Sequence, residues 1–131
     1  MSSKPATKAS MSSLEAHART TVPHLGEQDV RALAEILRRL IAAYAPERVY
    51  LFGSKARGDD GPDSDFDVLL VVPEGAECAR QGSHLAYEAL WGTGTAADVL
   101  VWSHDQFESR VHLRASLPGT VLREGRLLYA A

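Results

Sequence analysis

Apolar residues along the chain switch between two periods, and the switches mark its elements. From Glu27 to Ala45 the apolar positions are Val30, Leu33, Leu37, Leu40, Ile41 and Tyr44, a helical stripe at spacings of three, four and seven. Glu27 and Asp29 lie in its first turn, where the helix dipole favours negative charge, and Pro46 ends it. Three runs then carry β-forming residues: Arg48–Gly53, Asp65–Val72 and Ala96–Trp102. The second is almost continuously apolar after Asp67, as a strand buried on both faces would be. Between the second and third runs, Glu77–Trp91 has a weaker helical pattern, interrupted by Gly82. After the third, Ser103 and Gln106 form a capping-box pattern for a helix that turns Phe107 and Val111 inward. Pro118 opens a last short helix, Gly125 closes it, and Arg126–Tyr129 makes a terminal strand at a sheet edge.

The predicted order is α-β-β-α-β-α-α-β. It describes an α/β (α+β) domain with one mixed sheet of about four strands and helices packed against it. The short link between the first two strands makes them antiparallel. Residues 1–24 are rich in Ser, Thr, Lys and Ala, with Pro5 and Pro23. They read as a disordered tail, leaving residues 25–131 as the folded domain. An organellar transit peptide shares this composition; the tail is the expectation adopted.

Composition narrows the picture in a few places. The 131 residues suit one domain, and a net charge of −3 gives no electrostatic grip on duplex nucleic acid. The one cysteine, Cys78, cannot form an intrachain disulfide, which fits a reducing cytoplasm. No apolar run approaches the roughly 20 residues of a membrane span.

The candidate chemistry lies in residues 51–67, LFGSKARGDDGPDSDFD. Asp65 and Asp67 are two apart on a strand, so they face the same way, about 7 Å apart. Such a pair can bracket magnesium ions, which take oxygen ligands and complete their shell with water and phosphate. Asp98 is a lone acid inside an otherwise buried third run, where an unpaired charge is costly enough to call for a partner. If that strand lies beside the second, three carboxylates meet, and their repulsion makes sense when cations neutralise it. Gly53 allows a sharp turn after the first strand, Ser54 adds a hydroxyl, and Lys55 and Arg57 add positive charge for phosphate oxygens. Each feature alone is ordinary: a Gly-Ser pair is usually a turn, a D-x-D usually decorates a surface. Their order along one chain is what carries weight. There is no P-loop, EF-hand, zinc spacing or serine-hydrolase elbow.

Gly53-Ser54, ten residues, then Asp65-Phe66-Asp67 resembles the G-S-x10-D-x-D signature of the minimal nucleotidyltransferases, relatives of DNA polymerase β and kanamycin nucleotidyltransferase. ADVLVW and LREGRLLYA are similar to that group's third strand and C-terminal turn and strand, so the resemblance covers about residues 27–129. It implies transfer of AMP from ATP to a hydroxyl acceptor, with pyrophosphate leaving. Gly53, Ser54 and Arg57 would hold the triphosphate, and Asp65, Asp67 and Asp98 two magnesium ions, Asp98 also helping to remove the acceptor proton. The implied partner is a small helical HEPN-type toxin, modified on a tyrosine by this chain as the antitoxin of a type VII-like toxin–antitoxin pair. The alternatives are an aminoglycoside-like small-molecule acceptor and an antitoxin that acts by binding alone. Arg19 and His24 fit the R-x4-6-H spacing of HEPN proteins themselves; in a Pro-broken tail without a helix pair the match is dismissed.

Overall fold

The computed structural model describes residues 10–59, 61, 64–77 and 82–131. Helix α1 spans Met11–Thr21 and α2 spans Glu27–Tyr44. Strand β1 (Arg48–Phe52) is followed by the one-turn helix α3 (Ser54–Arg57) and β2 (Phe66–Val72). Then come α4 (Ser83–Ala89), β3 (Ala97–Ser103), α5 (His104–Arg110), α6 (Leu117–Glu124) and β4 (Arg126–Ala130).

The strands form one mixed sheet in the order β3-β2-β1-β4. β1 runs antiparallel to β2 and to β4, with an irregularity at Val49/Tyr50, while β2 and β3 are parallel. The α/β expectation, the antiparallel first pair and the terminal edge strand therefore hold. Alternation along β2 assigns its two faces. Val68, Leu70 and Val72 join the core under α2, with Leu33, Leu37 and Leu40. Leu69 and Val71 face the other way, into a smaller core with Tyr50, Phe107 and Val121 from β1, α5 and α6. Phe107 stacks on Tyr50 with ring centroids 5.7 Å apart, and the Ser103–Gln106 capping box that aims it is formed at both ends. Ser116 caps α6, Pro118 sits in its first turn, and Gly125 follows it.

Two expectations need correction here. The predicted Glu77–Trp91 helix is broken at Gly82, which at φ +55° is the N-cap of α4, while Glu77 ahead of the break is itself helical. Residues 78–81 of that predicted helix, Cys78 among them, lie outside the described residues. The second correction concerns the tail. Residues 1–9 lie outside the described residues, but Met11–Thr21 is helix, capped by Ser10. Leu14, Ala18 and Val22, each four residues apart, are buried in the main core. Arg126 donates to the Thr21 carbonyl at 2.7 Å and the His17 ring lies 3.2 Å from the Leu127 carbonyl, tying α1 to β4. A narrow stripe of one large and two smaller apolar residues buries enough against α2 to order a Ser-rich helix that its composition disfavours. Leu14→Ala is therefore expected to cost about 2–4 kcal/mol in urea unfolding. A loss below about 0.5 kcal/mol would place α1 outside the cooperative unit.

The helix pair that the sequence reading denied to Arg19 and His24 thus exists as α1 and α2. Both residues are nonetheless engaged structurally: Arg19 donates to both carboxylate oxygens of Glu27, and the His24 ring lies 2.7 Å from the Lys55 carbonyl. Among the described residues, no helix is long and apolar enough to cross a membrane.

Candidate active site

Strand register brings distant residues together. Phe52, the last residue of β1, pairs with Asp67 of β2, so the Gly53–Ser54 turn leaves the sheet beside that carboxylate. On its other side Asp67 pairs with Asp98 of β3. Neighbouring strands lie about 4.8 Å apart, so these two acids stand side by side on one face. Asp65 precedes them by one strand repeat, and the α5–α6 face of the sheet carries the group.

Gly53 is where geometry is tightest. Its backbone has φ +78° and ψ −160°, a region essentially reserved for glycine. A Cβ placed there would overlap Oδ2 of Asp67 and lie 3.0 Å from its Cγ. The turn and the carboxylate are thus packed directly on each other. Gly53 then becomes the N-cap of α3, and its carbonyl accepts from the Ala56 and Arg57 amides at 3.1 Å. Gly58, at φ +87°, ends the turn with its N–H on the Ser54 carbonyl at 2.8 Å.

That single helical turn corrects the reading of Lys55. Positions two apart on a helix point about 200° apart, so Lys55 and Arg57 leave on opposite sides. Lys55 is buried, pairs with Asp29 at 3.2 Å and lies 4.9 Å from the centre of the Phe66 ring. Its charge serves the α2 side of the sheet. Arg57 stays on the acid side, exposed, in an ion pair with Asp59 at 3.1 Å. Glu124 and Asp67 add weaker attraction to its guanidinium.

The electrostatics follow from this layout. Partial burial raises the Asp67 carboxyl above its ordinary range, and repulsion from Asp98 and then Asp65 raises it further; Arg57 pulls it back. Asp98 itself is exposed, because β3 is an edge strand, and so is Asp65. The expectation of a buried Asp98 is corrected: solvent makes that acid affordable without a partner. Among the described residues, no three carboxylate, imidazole or thiolate groups converge tightly enough to cage a metal by themselves. Magnesium does not require such a cage, since one or two carboxylates with substrate phosphates suffice. The cluster's donor set, all oxygen and undercompensated by cations, fits that ion.

The repulsion makes a prediction for the metal-free protein. Asp98→Asn should lower the Asp67 titration towards the ordinary carboxylate range, followed by carbon NMR. An acid whose folded-state value is raised stabilises the fold only at low pH, and that contribution is lost as pH rises through the raised value. Because solvent screens these half-exposed groups, relieving the repulsion should leave Tm at neutral pH equal or slightly higher. An unchanged Asp67 titration would mean the two acids do not interact.

A groove of about 660 Å³ adjoins the cluster and includes Asp65 and Asp98 in its lining. Its other walls are α4, the segment after it and the outer edge of β3, with Tyr87 and Trp91 on its rim. The groove's residues follow no motif, so nothing in the sequence marks it.

Sheet order, the glycine–serine turn and three acids on adjoining strands define the class as a nucleotide-transfer fold. Residues 30–126 match the nucleotidyltransferase domain, and the chain belongs to that family. A protein of Methanocaldococcus jannaschii, named "putative protein adenylyltransferase", is 31% identical over 101 residues, covering 76% of this chain and 96% of that one. A solved structure from Sulfolobus solfataricus, titled as a "putative nucleotidyltransferase", superposes with a TM-score of 0.51 at 21% identity, over 98% of this chain and 90% of that one. At that identity the likeness concerns the fold alone.

Proposed function

We propose that this nucleotidyltransferase moves AMP from ATP to a hydroxyl of a protein acceptor. The observation that carries the reading is the pairing of Asp67 with Asp98 on one side and its packing against Gly53 on the other. The relative named "putative protein adenylyltransferase" supports the choice of acceptor class.

In this reading the acceptor oxygen attacks the α-phosphorus, the bond to the bridging oxygen breaks, and pyrophosphate leaves in line. The triphosphate tail rests on the Gly53–Ser54 turn, where the first turn of α3 offers backbone N–H groups and Ser54 its hydroxyl. Arg57 turns from Asp59 to the phosphates. Asp65, Asp67 and Asp98 would hold magnesium, two ions in all, which supplies neutralisation of the phosphate oxygens. Asp98, the most open of the strand-borne acids, takes the acceptor proton. The positions are fixed by strand ends, so the reacting groups are aligned with little reorganisation.

The finer reading is that the acceptor is a tyrosine of a small helical HEPN-type toxin, with this chain as the antitoxin. It rests on the family resemblance. Its test is incubation with ATP, magnesium and the protein encoded by the neighbouring reading frame, followed by intact mass. One or more AMP increments on that protein, absent with Asp67→Asn, support the reading. A stable complex without transfer would favour an antitoxin that acts by binding. Transfer to kanamycin instead would favour a small-molecule enzyme.

A further inference from the structure

We infer that the groove beside β3 is the acceptor subsite, and that it takes an extended peptide segment laid along the free edge of that strand. The inference rests on the transfer reading above and names the substrate's shape and charge.

Position comes first. The groove's lining contains Asp65 and Asp98 but neither Gly53, Ser54 nor Arg57. In an in-line displacement the nucleophile enters opposite the leaving group. With pyrophosphate on the Gly53–Ser54 turn, the attacking oxygen comes from the flank that β3 forms. The groove opens there.

Shape comes second. Among the described residues, β3 is the last strand of the sheet and pairs with β2 alone. The groove wall runs without a break from Trp91 to Leu100, so consecutive residues, backbone included, form it. Side chains alone would contribute every second strand position. A wall of this kind offers a strand's outer N–H and C=O groups to an added strand, the mode of recognition that sheet edges support. Gly92 and Gly94, at φ +84° and +74°, shape the turn that leads into it.

Chemistry comes third. Trp91 and Tyr87 are 69% and 64% exposed, with rings 5.6 Å apart and tilted, and Leu100 is 38% exposed. Large aromatics held open beside a cleft are what anchors a partner's apolar side chain. The described lining holds two carboxylates and no lysine or arginine. That charge repels a phosphate-rich strand of nucleic acid and favours neutral or basic residues around the acceptor hydroxyl. The occupant is thus a peptide in extended form, its hydroxyl side chain at Asp98, an apolar neighbour on Trp91, and basic flanks.

The test uses the full chain, labelled with nitrogen-15, and two acetylated pentapeptides: lysine–valine–tyrosine–valine–lysine, and the same sequence with glutamates for lysines. The basic peptide should shift the amides of residues 92–100 saturably, at least tenfold more tightly than the acidic one. Trp91→Ala, at an exposed position, should weaken it at least tenfold with the rest of the spectrum kept. A non-hydrolysable ATP analogue with magnesium should instead shift the amides of Gly53 and Ser54. If the analogue shifts residues 92–100 and the peptide does not, the groove holds the nucleobase and the inference falls. It also falls if neither peptide perturbs the groove. Failure of the transfer reading looks different: the analogue leaves Gly53 and Ser54 unmoved, whatever the peptides do.

Discussion

Asp67→Asn is expected to abolish nucleotide transfer, lowering kcat/KM by about a thousandfold or more, while the metal-free protein stays folded. Stabilising charge on a transferring phosphoryl group with bound metal contributes several kcal/mol, and about 4 kcal/mol is a thousandfold in rate. Asp67 stands between Asp65 and Asp98, so its loss opens both halves of the cluster. The two measurements should diverge. Burial and two neighbouring acids already disfavour the charge on Asp67. Removing that charge should leave Tm at neutral pH equal or higher. Activity is read by AMP transfer and stability by thermal melting in chelator. A variant that loses both would mark Asp67 as structural, and one that keeps activity would remove the proposed site.

Gly53→Ala should damage both properties. The positive φ with extended ψ is strained for any residue with a Cβ, at about 1–3 kcal/mol. The added methyl also occupies the space of Oδ2 of Asp67, so either the turn or the carboxylate must move. A displacement near 1 Å at a reacting centre can cost about a hundredfold in rate. The expected result is a lower urea midpoint with transfer slowed by about that factor. If Ala at position 53 left transfer untouched, the close packing of turn on carboxylate would have no catalytic meaning.

The strands and their order of chemistry were legible because strand period and helix period are distinct, and this chain keeps them distinct. The D-x-D at 65–67 can be placed on one face from spacing alone. Its meeting with Asp98 required only that the two most apolar runs be neighbours, which the parallel β2–β3 pair confirms. What was illegible depended on short or weak local signals. Helix α1 rests on Leu14, Ala18 and Val22, one large residue and two small ones, in a segment whose Ser, Thr and Lys content argues for disorder. Lys55 was misplaced because four residues after Gly53 make a helical turn instead of a loop, and the turn sends it to Asp29. The exposure of Asp98 follows from β3's place at the edge, which an apolar sequence conceals. The groove beside it is made by α4, a glycine-bearing turn and a strand edge, none of which carries a recognisable pattern.

The two margins of the sheet are unlike. His17 and Arg126 bind α1 across β4, whereas β3 has no such cover among the described residues. A sheet with two bare margins can stack copies without limit, which is how filaments grow. With β3's margin alone bare among the described residues, one added strand fills it, and edge-to-edge growth has nowhere further to go.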